Sequence, residues 1–162
     1  YRRALDKDKS MNYARLNLSG ALSRVNRPAE ALVVLQEAVD IDPQNDRAHY
    51  NLGLLYYQLE RPAEAIASFQ NALDLNTNIN GAYGNYALLL MEMEAWPETI
   101  EICERGLERF PKDEKLLYAK AVSHVALNED QKAIQSWEQL VHLFPQNPYY
   151  LQELQSVIEN RR

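Results

Sequence analysis

The side chains able to do chemistry in this sequence are three histidines (His49, His124, His142), one cysteine (Cys103) and a crowd of glutamates between positions 92 and 108. A zinc site or a histidine pair needs imidazoles at i, i+4 spacing or gathered on one loop, and no two of these histidines are so placed. They read as solvated or core-edge side chains. Glu92, Glu94, Glu98, Glu101, Glu104 and Glu108 include carboxylates close enough to suggest acid–base work. Glu94, Glu98 and Glu101, however, straddle a turn and the outer side of a helix, the pattern of a solvated acidic face that attracts a basic partner. Cys103 has no second cysteine to pair with. It falls in a bulky, core-type position, where a thiol is inert. Only five glycines are present, and none builds a phosphate-cradling loop. Catalysis, a metal and a cofactor are therefore not expected.

The elements that must position any site come from a chain of 162 residues, enough for one domain or a short solenoid. Its net charge of -6 argues against a nucleic-acid surface, which needs clustered Lys and Arg. The Arg2-Arg3 and Arg161-Arg162 pairs sit at opposite ends and form no stripe. No apolar run approaches the ~18 residues of a membrane span, so membrane insertion is not expected. Compartment is left open.

The organising signal is a period of 34 residues without insertion. Small residues recur at Ser19, Gly53, Ala87 and Ala121, and again at Ala31, Ala65, Thr99 and Ala133. A third small column runs Ala4, Ala38, Ala72, Gly106 and breaks at Leu140. A bulky column runs Tyr1, Leu35, Phe69, Cys103, Trp137, and a turn column Pro43, Thr77, Pro111, Pro145. Two helices that cross closely need small side chains at the approach and large ones beside it. The periodicity predicts first helices near 13–25, 47–59, 81–93 and 115–127, and second helices near 28–41, 62–75, 96–109 and 130–143. Pro28, Pro62 and Pro97 start second helices, where a missing N–H costs nothing. Pro43, Pro111, Pro145 and Pro148 lie between repeats, where a helix must stop.

His49-Tyr50-Asn51-Leu52-Gly53 followed by Tyr56, Ala65, Phe69, Ala72 and Leu73 resembles the signature of the tetratricopeptide repeat family. The resemblance covers the whole chain. It implies an all-α, right-handed superhelical solenoid of antiparallel helix pairs, with repeats at 12–45, 46–79, 80–113 and 114–147. Residues 1–11 would be the tail of a preceding second helix. Residues 148–162 would form a capping helix that covers the edge of the fourth repeat through Leu151, Leu154 and Ile158. Lys120 and His124 occupy core columns, so Lys120 should pair with an acid or extend to solvent. Leu140 in a small-residue column predicts a splayed last interface, with a ligand pocket there as the sharper alternative.

In this family first helices line a concave groove, and the resemblance places Arg47, Tyr50, Leu54, Tyr57, Leu88, Met91, Lys115, Tyr118 and Val122 in it. Asn17, Asn51 and Asn85 would form a ladder able to pair with an extended peptide backbone, since a carboxamide both donates and accepts. It is similar to the asparagine ladder of O-linked N-acetylglucosamine transferase repeats. Gly81 and Gly84 would open a pocket between Tyr50 and Tyr118. The carboxylate clamp that holds chaperone C-termini is disfavoured: in repeats two to four only Asn85 and Lys115 match it, and in repeats one to three Leu16, Gly20 and Gly81 replace its groups. The expected function is a scaffold that binds a protein or peptide. Rival readings are a spacer or self-assembly element, and the substrate-presenting arm of an enzyme whose catalytic domain lies elsewhere.

Overall fold

The structure, a computed structural model, describes the backbone of residues 2–79 and 81–160 and the side chains of residues 11–79 and 81–160. The expectations placed on Tyr1, on the side chains of Arg2, Arg3 and Ala4 and on Arg161-Arg162 lie outside them. Among the described residues there are nine helices: α1 (Arg2–Arg24), α2 (Pro28–Ile41), α3 (Asp46–Gln58), α4 (Pro62–Leu75), α5 (Ala82–Glu92), α6 (Trp96–Arg109), α7 (Glu114–Ala126), α8 (Asp130–Leu143) and α9 (Pro148–Asn160). They fall into two compact units, residues 1–82 and 83–162. In the first, α2 packs on α1, α3 on α2, and α4 on α3; in the second, α7 packs on α6, α8 on α7, and α9 on α8.

The small-residue columns lie where they should. Ala31, Ala65, Thr99 and Ala133 are completely buried, and Leu35, Phe69, Cys103 and Trp137 are buried beside them. A Cβ added to Gly53 would stand 2.6 Å from ring carbons of Phe69. One added to Gly106 would stand 2.6 Å from Leu116 Cδ1 and 2.8 Å from Tyr83 Cβ, so both glycines are the condition of close approach. Leu140 does not splay its interface. It is fully buried in a core that it shares with Trp137, Tyr150 and Val157.

The turn inside each helix pair repeats a device that residue type conceals. Asn26, Glu60, Glu94 and Asn128, again 34 apart, adopt left-handed backbone with φ between 55° and 57°. The next amide then reaches back to close the preceding helix: Arg27 N to Leu22 O, Arg61 N to Tyr56 O, Ala95 N to Leu90 O, Glu129 N to His124 O. Asparagine adopts this conformation at lower cost than glutamate. Glu60→Asn with Glu94→Asn is expected to stabilise the chain by up to about 1 kcal/mol per site. A denaturant midpoint that stays put or falls would show that those glutamates carry no strain.

Residues 2–11 are not a separate helix tail. They continue unbroken into α1, which runs from Arg2 to Arg24. At position 9, where the turn column would place a stop, the chain has Lys9, and no proline interrupts the helix. Pro148 likewise opens α9 and does not stand in the turn before it.

Candidate functional site

Asn45 and Asp113 start the first helices that carry most candidate residues, each accepting a hydrogen bond from the amide three residues on: Ala48 N at 3.0 Å and Leu116 N at 3.1 Å. With the N-termini thus fixed, helical spacing directs the candidates away from the core. None of the twelve is buried: Asn17, Arg47, Tyr57 and Lys115 are exposed, and Tyr50, Asn51, Leu54, Asn85, Leu88, Met91, Tyr118 and Val122 are half-buried.

In the first unit Asn17, Arg47, Tyr50 and Asn51 line one cavity of about 490 Å³ together with Tyr13, Leu16, Asn76, Asn78 and Ile79. Its far wall is set by Asn76, whose Nδ2 donates to Asp46 Oδ2 at 2.5 Å. Leu54 and Asn51 also line an adjoining cavity of about 250 Å³ with Gly20 and Gln58. Asn51 therefore serves both. The chemistry offered is neutral and amide-rich, with Arg47 as the cation.

In the second unit Leu88, Lys115 and Tyr118 line a cavity of about 360 Å³ with Glu114, Asn147, Tyr149 and Tyr150. Asn85 accepts from Lys115 Nζ at 3.2 Å. Of the three ladder asparagines, Asn17 and Asn51 share a cavity, whereas Asn85 belongs to the second unit. The expected opening at Gly84 is not there, because the aliphatic stem of Lys115 lies 3.3 Å from where a Cβ would be. Gly81 has φ 84°, which makes it a turn residue.

Tyr118 is as much core as surface. Its ring lies edge-on to Trp137 at 5.9 Å and tilts against Tyr149 at 6.4 Å and Tyr150 at 6.5 Å. The Tyr150 hydroxyl donates to Glu114 Oε1 at 2.6 Å. Burial and that carboxylate push its pKa up to about 12. Tyr149 was missed as a wall residue. The signal was available, since Tyr13, Arg47, Gly81, Lys115 and Tyr149 are successive members of one 34-residue column.

The alternative pocket near Lys120 and His124 also exists, a cleft of about 590 Å³ lined in part by Glu104, Glu129 and Lys132. Its charges answer one another. Lys120 Nζ pairs with Glu104 at 3.0 Å, and buried His124 presents Nδ1 to Glu129 at 2.7 Å. Lys132 reaches the same carboxylate at 2.9 Å, and together Lys132 and His124 hold Glu129 below the usual carboxylate range. Elsewhere, His49 Nε2 donates to the Pro43 carbonyl at 3.0 Å, and His142 is exposed.

Cys103 is fully buried, and burial is the main reason its thiol is pushed up to about 12, with Lys120 pulling the other way. The unfolded thiol ionises near 9, so between about pH 9 and pH 12 the unfolded chain releases a proton that the folded chain keeps. Stability should fall across that window, and Cys103→Ser should flatten the fall. In the folded state at neutral pH, thiol reagents should modify Cys103 only at the rate of opening. Fast modification without unfolding would contradict its burial.

Two family models described as tetratricopeptide repeat match residues 46–78 and 115–147, and a third, described as TPR repeat, matches residues 26–60. Among curated proteins none matches the sequence. Several solved structures share the fold. A MamA from Desulfovibrio magneticus RS-1 is 21% identical with a TM-score of 0.83, over 93% of this chain and 85% of that one. Pseudomonas aeruginosa pilF is 18% identical with a TM-score of 0.79, over 96% and 71%. The APC/C hetero-tetramer Cut9-Hcn1 contains a chain 17% identical with a TM-score of 0.73, over 90% of this chain and 29% of that one. No helix among the described residues is long and apolar enough to cross a membrane.

Proposed function

We propose that this chain, which belongs to the tetratricopeptide repeat family, binds an extended segment of another protein along the first-helix surface of its first unit. Protein-interaction scaffolding is the property of the family as a whole; the groove and the peptide are the finer reading. The observation that carries it is the cavity of the first unit, where Asn17, Asn51, Asn76 and Asn78 converge around Tyr13 and Tyr50 with a single cation, Arg47. Carboxamides both donate and accept, so they pair with a peptide backbone of any sequence, while the tyrosine faces hold side chains. The cleft around Glu129 offers less, because its lysines and carboxylates are already paired with one another. Of the fold neighbours, one is a chain of the hetero-tetramer Cut9-Hcn1.

The test is selection of peptides from a random display library on the intact chain, followed by calorimetric titration. Peptides that bind the parent should lose affinity for Asn17→Ala/Asn51→Ala. Winners that bind this variant as tightly as the parent would place the working surface elsewhere.

A further inference from the structure

We infer that the tyrosine-lined cavity of the second unit binds an arginine side chain of a partner protein, with its charge at Glu114 and its stem on the rings of Tyr118 and Tyr149. This site stands apart from the peptide cavity proposed above. All its lining residues belong to the second unit, so either reading can fail without the other.

The phase of α9 builds the cavity. Tyr150 and Val157 are buried against the fourth repeat, which leaves Tyr149, one residue earlier, lining the cavity and 43% exposed. That exposure does not depend on where the sequence stops. Arg47 and Lys115 stand in the same 34-residue column and are exposed too, although helices precede and follow both. The Tyr149 ring lies 6.4 Å from that of Tyr118 and 6.0 Å from that of Tyr150. With Leu88 and their neighbours these rings bound about 360 Å³. Ligand sites run from about 300 to 1,000 Å³, so this one has room for a single long side chain.

Charge selects the occupant. The Tyr150 hydroxyl donates to Glu114 Oε1 and fixes that carboxylate in the cavity wall. Among the described residues Glu114 forms no ion pair, whereas Glu30, Glu64, Glu104 and Glu129 each meet a cation of the chain. Lys115 also lines the cavity, but its ammonium is taken up by Asn85, which does not. Tyrosine faces attract cations through the negative potential of the ring. A guanidinium adds planar stacking and a fork of N–H groups that matches a carboxylate. The chain already builds this arrangement once from its own residues: the Arg61 guanidinium lies 4.7 Å over the Tyr56 ring, and its Nε donates to Glu64 at 2.9 Å. The second-unit cavity offers the same two partners and lacks the arginine. Residues 83–162 hold thirteen Asp or Glu against eight Lys or Arg, a balance that draws a cation toward the unit. The first unit's cavity is lined by a cation, Arg47, and by no carboxylate, so the preference should be confined to the second.

The experiment titrates the intact chain with N-acetylarginine amide and with N-acetylcitrulline amide, and follows backbone amide shifts by nuclear magnetic resonance. Citrulline keeps the shape of arginine and replaces the cation with a neutral urea. The arginine amide should bind saturably, with shifts centred on Leu88, Tyr118 and Tyr149, and the citrulline amide about tenfold more weakly. Glu114→Gln can still accept from the Tyr150 hydroxyl but carries no charge, and it should weaken the arginine amide about tenfold. Tyr149→Leu keeps apolar bulk and removes the ring, and should weaken it about threefold. Unchanged spectra away from the cavity check the fold of each variant. An arginine amide that does not bind, or whose shifts centre on Glu98 and Glu101, overturns the proposal. So does a citrulline amide that binds as tightly as the arginine amide, or either variant with the parent's affinity.

Discussion

Trp137→Ala is expected to cost about 3–5 kcal/mol, the range for deleting a fully buried large aromatic side chain. Domains are commonly stable by only about 5–15 kcal/mol, so this single change removes a large share. Trp137 sits on α8, buried, and gathers rings from two other helices: Tyr118 of α7 at 5.9 Å, Tyr150 of α9 at 6.0 Å and Tyr149 of α9 at 6.3 Å. The first unit's core, built from residues such as Leu35, Leu52 and Leu55, contains none of these groups. Amide exchange should therefore speed up most in α7, α8 and α9. Trp137→Phe keeps a ring in the cluster and should cost clearly less. Equal losses for Ala and Phe would mean that the indole's volume, rather than aromatic contact, decides the stability there. A loss below about 1 kcal/mol for Ala would mean that the cluster is not the core of its unit.

Much of this fold was legible because the repeat states the same physical requirement several times. All four second helices, α2, α4, α6 and α8, begin and end where the columns placed them, since small-residue spacing recurs in each and proline marks at least one end of each. Reading failed where one repeat departs from the others. Position 9 of the turn column carries Lys9, and α1 runs on through it. The left-handed turn column was hidden because Asn26, Glu60, Glu94 and Asn128 share a backbone conformation and not a residue type. On α9, Leu151 and Ile158, expected to cover the edge of the fourth repeat, are exposed, and Tyr150 and Val157 are the residues buried there. Apolarity alone could not set the phase of the helix.

The candidate surface was legible only as a set of outward positions. That the twelve residues escape burial follows from register. That Asn17 and Asn51 share a cavity while Asn85 pairs with Lys115 depends on side-chain placement, which periodicity does not contain. Nor does the sequence show that the stem of Lys115 fills the space over Gly84, or that Tyr118 is held by three other rings.

For any peptide that occupies the first unit's cavity, Tyr13→Ala should weaken binding more than Asn51→Ala. Tyr13 is the cleaner probe of an aromatic anchor. It lines the cavity yet is 57% exposed, so its removal should leave the fold intact, whereas Tyr118→Ala would damage the Trp137 cluster as well. Loss of an anchoring aromatic at an interface costs about 2 kcal/mol or more, roughly thirtyfold in affinity. Loss of one amide that pairs with a backbone costs about 0.5–1.5 kcal/mol, roughly two- to tenfold. Because the proposed contacts are chiefly neutral, with Arg47 the cavity's one cation, raising salt should weaken binding only slightly. Steep salt dependence would point instead to the acidic helix face that includes Glu98 and Glu101, which would then attract a basic partner by charge. If affinity is indifferent to both Tyr13→Ala and Asn51→Ala at every salt concentration, the cavity is not the peptide's seat. The scaffold must then hold its partner by a face other than the one the asparagines line.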